Sequence, residues 1–299
     1  MSRQSIRADV PDGELVGWVQ GTGPRVLLLH GGPGLSFGYL DALAMELGSD
    51  YELASYQQRG LPPSSAEGPF TVGREVDDAL AFLDALGWEQ AFVVGHSWGG
   101  HLLLHLALAA AHRVLGALAV DPLGGVGDGG MAAFETEMGG RIPEGSRRRA
   151  EELDKRAMRG EGTEEDFIES LTLYWPAYFA TPAHAPPMPE MRTSVEAYAG
   201  IVESLRKELP HLSRALASMT VPFGFVAGDE SPMPVDEAAA PTAAVIPGAW
   251  LVRVQQAGHF PWYEQPGCTR GALDRLVHQM TDEGPGGLWV SGRRWYPPR

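Results

Sequence analysis

The octapeptide Val93-Val94-Gly95-His96-Ser97-Trp98-Gly99-Gly100 is the stretch that decides the fold of this chain. An apolar run from Ala91 to Val94 leads into it, and a Leu- and Ala-rich helical pattern over residues 101–112 follows it. Inside it stands Gly-x-Ser-x-Gly, the pattern of a serine held at a sharp strand-to-helix turn. Such a turn leaves almost no room for side chains two residues on either side of the serine. The pattern therefore predicts an exposed Ser97 hydroxyl, with a helix N-terminus directed at any oxyanion that forms beside it.

Composition limits the class of protein and its partners. The 299 residues suffice for one large α/β domain with an inserted subdomain, or for two modest domains. A net charge of −15 argues against non-specific binding to nucleic acid or to an anionic membrane. We therefore expect a small molecule or a short peptide as the substrate, and the oligomeric state stays open.

Cysteine content and hydropathy indicate a compartment. The single cysteine, Cys268, excludes an intrachain disulfide and a cysteine-based metal cluster. Residues 1–7 lack the apolar region of a secretory signal, and no apolar run reaches the roughly 20 residues that a membrane helix needs. These features lead us to expect a cytoplasmic protein.

Strand and helix patterns alternate along much of the chain, which is typical of a mostly parallel sheet with helices on both faces. The predicted strands cover residues 14–20 (an edge strand), 26–30, 51–56, 91–96, 114–120, 221–226 and 250–254. From residue 123 to about residue 212 strand patterns are replaced by charged helical stretches. We therefore expect a core of residues 1–122 and 213–280, a helical lid inserted at 123–212, and a C-terminal tail at 281–299 that packs on the surface or is partly disordered.

A nucleophilic serine needs an adjacent base, and that base needs a group that orients it. His259 follows the last predicted strand after a glycine and is the best candidate for the base. Asp229, which stands between a glycine and a Ser-Pro turn at the end of a predicted strand, is the preferred orienting acid. Asp121, at the end of the strand that follows Ser97, is the alternative. Both aspartates stand at carboxyl ends of parallel strands, where ligand-side residues belong, so either could reach the histidine.

Two backbone amides are candidates for an oxyanion hole, which needs preorganised N–H donors. One is Trp98, directly after the nucleophile. The other is Gly32, in the glycine-rich turn that follows an early strand.

The predicted lid carries an unusually aromatic segment over residues 173–179. Within it, Trp175 and Tyr178 are candidate substrate-binding residues, although the same segment could instead form the small core of the lid. No spacing of histidines or carboxylates typical of a metal site recurs, so we expect neither a metal nor another cofactor.

The chain resembles the α/β-hydrolase superfamily over nearly its whole length. His30-Gly31-Gly32-Pro33-Gly34 resembles a signature of the proline iminopeptidases, which are serine peptidases that release an N-terminal proline. The segment Gly95–Gly100 is similar to the strand-to-helix turn that carries their nucleophilic serine, where a glycine commonly replaces His96. Tyr56–Gly60 is similar to another of their segments, in which an aspartate usually stands at the position of Gln57.

This resemblance implies a substrate with a free amino terminus, held by lid glutamates. Among the acids in the predicted lid are Glu135, Glu137, Glu169 and Glu203, and for each of them a solvated face is the favoured interpretation.

Together these features predict a metal-free serine hydrolase that works through an acyl-enzyme. The resemblance implies proline iminopeptidase-like cleavage of small N-terminal amides, and an esterase or lactonase acting on a small metabolite is the alternative. A non-catalytic α/β-hydrolase that binds a ligand under its lid is the hypothesis from a different class. Such a protein usually lacks the nucleophile, the base or the acid, and the presence of all three here favours catalysis.

Overall fold

The computed structural model describes residues 2–159 and 161–282. In this part of the chain, eight strands form one sheet with the order β1-β2-β4-β3-β5-β6-β7-β8. Strand β2 pairs antiparallel with β1 and with β4, and all other neighbours are parallel. The strands are β1 (Gln4–Val10), β2 (Gly13–Gln20), β3 (Arg25–Leu29), β4 (Glu52–Tyr56), β5 (Ala91–His96), β6 (Val114–Val120), β7 (Phe223–Gly228) and β8 (Trp250–Val254).

Helices cover both faces of this sheet, which confirms the predicted α/β fold class. They are α1 (Leu40–Leu47), α2 (Val72–Ala85), α3 (Trp98–Ala109), α4 (Met131–Arg141), α5 (Glu144–Met158), α6 (Glu164–Tyr174), α7 (Val195–Ala215), α8 (Ala239–Val245), α9 (Pro261–Glu264) and α10 (Cys268–Asp282). One apolar cluster packs α2, α3, α7 and α8 against the sheet, and a second packs α1 and α10 against its other side. Both clusters follow from strands that are apolar along their whole length.

Local patterns predicted some elements well and missed others. The predicted bounds of β5, β6 and β8 agree with the structure residue for residue. The sheet edge is β1 rather than β2. The prediction missed β1, although Ile6, Ala8 and Val10 alternate with exposed polar residues along it. Helix α7 continues through Pro210, because the buried Leu209 and Leu212 keep the helix packed on the core.

Helices α4 to α7 all lie between β6 and β7 in the chain, and α7 extends past the end of the predicted lid at residue 212 to Ala215. Residues 283–299 of the predicted tail lie outside the described residues. None of the helices in the described part of the chain is long and apolar enough to cross a membrane.

Candidate active site

Ser97 occupies a strained turn between β5 and α3. Its φ is +54° and its ψ is −119°, a combination that L-residues rarely adopt. A Cβ on Gly95 would lie 2.2 Å from the carbonyl oxygen of Gly99, and a Cβ on Gly99 would lie 2.2 Å from that of Leu29. The two glycines of the pattern are therefore required sterically, because any side chain would displace backbone.

Asp121 is the acid that contacts the candidate base. Its Oδ1 lies 2.8 Å from Nδ1 of His259, and both residues are buried. The Ser231 hydroxyl donates to the same oxygen at 2.6 Å, and the Gly228 amide donates to Oδ2 at 2.8 Å. Three donors thus hold this carboxylate in an orientation that keeps Nδ1 of His259 protonated and leaves Nε2 as the acceptor.

Asp229, the preferred acid of the sequence analysis, does not contact His259. Its backbone amide donates to the Val254 carbonyl at 3.0 Å, which extends the β7–β8 ladder by one bond. Its carboxylate accepts a hydrogen bond from Gln255 and lies 3.5 Å from the Arg253 guanidinium. The prediction that Asp229 orients the base is therefore corrected in favour of Asp121, since the chain beyond β7 directs the Asp229 side chain towards β8.

The two amides predicted for the oxyanion hole lie on either side of the serine turn. Trp98 is the first residue of α3, and Gly32 adopts a φ of +63° in the loop after β3. A Cβ on Gly31 would come within 2.7 Å of the Ser97 Cβ, so this loop lies directly against the serine. Within the described residues neither the Gly32 nor the Trp98 amide has a hydrogen-bond partner, and both are available to an oxyanion.

A buried hydrogen-bond chain, not foreseen from the sequence, links the Gly31 amide to the loop of the base. That amide donates to the Tyr39 hydroxyl, which lies 2.8 Å from Nδ1 of His96. Nε2 of His96 lies 2.9 Å from the His259 carbonyl oxygen. Since Tyr39 donates its own proton to Nδ1, Nε2 carries the imidazole proton and donates it to the carbonyl. Burial lowers the pKa of His96 well below its ordinary value, which agrees with a neutral ring.

Two glutamines after β4 hold the loop that contains Gly32. The Gln57 side chain accepts from the Phe37 amide at 3.1 Å and donates to the Leu35 carbonyl at 3.0 Å. The Gln58 side chain donates to the His30 carbonyl at 2.9 Å and accepts from the Trp98 indole at 3.0 Å. Each of these contacts joins residues at least 20 positions apart, so the sequence carries no local signal for them.

A small cavity of about 60 Å³ encloses the candidate nucleophile and base. Its lining comprises Gly31, Gly32, Leu35, Tyr39, His96, Ser97, Leu171, Trp175, Tyr178, Met191, His259 and Phe260. The two aromatic residues predicted to bind substrate, Trp175 and Tyr178, thus stand in this wall, and the Tyr178 ring centroid lies 5.3 Å from that of His259. Ligand sites are commonly 300–1,000 Å³, so this cavity is much smaller than a typical ligand site.

The lid acids named by the resemblance lie elsewhere. Glu169 pairs with Arg149 at 2.6 Å, Glu203 with Lys207 at 2.6 Å and Glu137 with Arg141 at 3.1 Å, while Glu135 is exposed. Among the described residues no carboxylate lines the cavity, and no cluster of three or more His, Cys, Asp or Glu residues could hold a metal ion.

Comparison with known proteins identifies the family of this chain. The sequence profile described as "Alpha/beta hydrolase family" matches residues 26–267. The chain belongs to the alpha/beta hydrolase family. Epoxide hydrolase B of Mycobacterium tuberculosis is 33% identical over 109 residues, which cover 35% of this chain and 31% of that protein. The match thus spans about a third of the length of this curated relative.

Solved structures show the same fold over nearly the whole chain. A 2-hydroxy-6-oxo-6-phenylhexa-2,4-dienoate hydrolase from Rhodococcus sp. strain RHA1 superposes with a TM-score of 0.68 at 19% identity, covering 93% of this chain and 99% of that one. A proline iminopeptidase from Mycobacterium smegmatis gives 0.65 at 19% identity, covering 93% and 98%. At these identities the likeness establishes the fold alone.

Proposed function

We propose that this protein hydrolyses small uncharged carboxylic esters or lactones through a serine acyl-enzyme. The observation that carries the proposal is an apolar, aromatic cavity that holds Ser97 and His259, with the buried Asp121 carboxylate bound to that histidine. Hydrolase chemistry agrees with membership of the family. The ester or lactone class is argued from the residues that line the cavity.

The proposed mechanism assigns one task to each group. His259 takes the proton of Ser97 through Nε2 as Oγ attacks the carbonyl carbon, while Asp121 stabilises the resulting imidazolium. The Gly32 and Trp98 amides donate to the oxyanion, and losing one such donor costs about 3–4 kcal/mol in a comparable enzyme. His259 then protonates the leaving alcohol and later activates the water that releases the acid.

The serine nucleophile also bears on the activity named for the epoxide hydrolase relative. Attack of Ser97 on the saturated carbon of an epoxide would form an ether, which has no acyl carbon for a water molecule to attack. Attack on a carboxylic ester forms an acyl-serine, which water can hydrolyse. Turnover through Ser97 therefore favours an acyl substrate.

The predicted amide substrate with a free amino terminus receives less support. A buried ammonium group needs a carboxylate or several acceptors to replace its water. None of the described carboxylates lines the cavity, and Glu137, Glu169 and Glu203 pair with basic side chains of the lid. An uncharged ester or lactone makes no such demand, and we therefore rank it above the iminopeptidase-like substrate.

A paired assay tests this proposal, with Ser97→Ala as the blank. One arm uses short p-nitrophenyl esters and small lactones, and the other uses a proline arylamide with a free amine. We expect ester or lactone turnover that Ser97→Ala abolishes, together with an inert arylamide. Arylamide turnover that N-acetylation abolishes would instead restore the iminopeptidase-like prediction. Silence in both arms, with Ser97 unlabelled by a fluorophosphonate, would overturn catalysis and favour the ligand-binding hypothesis.

A further inference from the structure

A groove of about 640 Å³ runs along helix α6 on the outside of the catalytic cavity. Its apolar lining includes Leu61, Pro62, Ile168 and Met191. Met191 also lines the cavity that contains Ser97, and it is only 9% exposed. The groove and the cavity therefore share one lining side chain, which separates the two spaces.

We propose that this groove binds the acyl chain of an extended, uncharged ester, and that Met191 controls the passage from the groove to the nucleophile. The inference rests on the proposed esterase function and adds the class of acyl group. A cavity of about 60 Å³ has room for little more than the reacting carbonyl and its nearest atoms, whereas the adjoining groove is far larger. A longer acyl chain therefore has to continue past Met191.

One wall of the groove is hydrogen-bonded to the oxyanion loop, the loop after β3 that contains Gly32. The Ser36 amide donates to the Arg192 carbonyl at 3.0 Å, and the Arg192 amide donates to the Ser36 hydroxyl at 3.0 Å. An isolated β-bridge joins Leu35 to Thr193, beside these bonds. Met191 thus approaches Ser97 from the side of the oxyanion loop.

That position indicates which half of the substrate reaches the groove. The leaving oxygen has to lie next to His259, because this residue supplies its proton. The acyl substituent points away from the leaving oxygen across the carbonyl carbon. It is assigned to the part of the cavity that Met191 lines, because this part adjoins the groove.

The opposite wall is helix α6, which is weakly attached to the core. Leu171 faces the cavity, whereas Ile168 and Thr172 face the groove. No side chain of this fully described helix is buried, and its two ion pairs with the described part of α5 join Arg149 to Glu169 and Arg156 to Asp166 at the protein surface. Little apolar burial opposes an outward shift of α6, and an acyl chain that packs against Ile168 and Leu171 would restore contact.

The balance of charge at the rim disfavours a chain that ends in a carboxylate. Arg192 lines the groove, and its guanidinium donates to the Pro62 carbonyl. Glu164 and Glu165 line it as well, and neither has an ion-pair partner in the part of the chain that the structure describes. A chain that ends in a carboxylate would bring a like charge close to both of them. We therefore expect an octanoyl ester to be preferred over the corresponding monoester of octanedioic acid.

The test compares kcat/KM for p-nitrophenyl octanoate with kcat/KM for p-nitrophenyl acetate. Thr172→Trp places an indole in the groove, and Glu151→Trp is the matched control at an exposed position on α5. We expect the octanoate-to-acetate ratio to fall at least tenfold in Thr172→Trp and to stay unchanged in Glu151→Trp. Met191→Ala should raise the ratio. The same ratio in the wild type and in Thr172→Trp would overturn the inference.

A binding measurement separates this inference from the proposed function. Calorimetry follows p-nitrophenyl octanoate binding to Ser97→Ala with and without Thr172→Trp. If the wild type hydrolyses no ester, but Ser97→Ala binds the octanoate and the double variant does not, the groove proposal stands and the esterase proposal is overturned. Acetate turnover with neither octanoate binding nor chain-length preference would overturn the groove alone. The absence of both binding and turnover would overturn both.

Discussion

Replacing Asp121 by asparagine should nearly abolish activity, because every contact of this carboxylate is with a hydrogen-bond donor. The donors are Nδ1 of His259 at 2.8 Å, the Ser231 hydroxyl at 2.6 Å and the Gly228 amide at 2.8 Å. Asparagine offers one oxygen and one NH₂ group in place of two acceptor oxygens. In either orientation of the amide, the NH₂ group faces a donor.

The two orientations have different consequences. With the oxygen towards His259, the NH₂ group opposes the Gly228 amide, and an unpaired buried donor costs about 1–3 kcal/mol of folding stability. With the NH₂ group towards His259, Nδ1 has to accept, so the proton moves to Nε2 and the ring no longer accepts from Ser97. The same substitution in another Ser-His-Asp triad lowers kcat about 10⁴-fold, which corresponds to about 5.4 kcal/mol of transition-state stabilisation. We expect a loss of that order here.

The assay measures kcat on the best ester of the panel together with urea unfolding, so that lost chemistry is distinguished from lost structure. Asp229→Asn is the matched control, because Asp229 contacts only Gln255 and Arg253 among its described side-chain neighbours. We expect the control to retain kcat within a few-fold of the wild type. An active Asp121→Asn beside an inactive Asp229→Asn would refute the assignment of the acid.

Four further substitutions test the surrounding structure. Gly99→Ala should abolish soluble folded protein, since its Cβ would lie 2.2 Å from the Leu29 carbonyl oxygen, whereas Gly139→Ala on α4 has open space and should raise stability by about 0.5–1 kcal/mol in thermal unfolding. Tyr39→Phe removes the hydroxyl that links the Gly31 amide to His96. It should lower folding stability by roughly 1–3 kcal/mol for each partner left unpaired, and it should lower kcat more than it raises KM. An unchanged kcat would argue against a link between this hydroxyl and the base. The pKa of Glu75 is raised well above its ordinary 4.5, mainly by burial and then by the charge of a neighbouring carboxylate. The folded state therefore keeps a proton that the unfolded chain releases above pH 4.5, and the free energy of unfolding falls as the pH rises from there. Glu75→Gln should remove that part of the pH dependence and raise the melting temperature at pH 8 relative to the wild type, and parallel profiles of melting temperature against pH would contradict this.

The sequence alone was enough to predict seven of the eight strands described in the sheet and the serine turn, and it indicated His259 as the candidate base. Strands buried on both faces require continuous apolar runs, so β5 and β6 could be bounded residue for residue. The turn at Ser97 makes steric demands on its immediate neighbours, and those demands are visible as glycines in the pattern. His259 follows the last strand, and the family fold carries that position to the end of the sheet that holds the serine.

Only the tertiary structure decided which acid contacts the base and what surrounds the nucleophile. Asp121 and Asp229 stand at the carboxyl ends of the adjacent strands β6 and β7, and local sequence does not show where either side chain points. Asp121 turns towards His259 because it adopts a φ of +44° and because donors from the loop after β7 hold its carboxylate. The pairing of lid acids with basic side chains and the position of Met191 likewise depend on contacts between residues far apart in the chain. Such contacts leave no periodic or local signal in a single sequence.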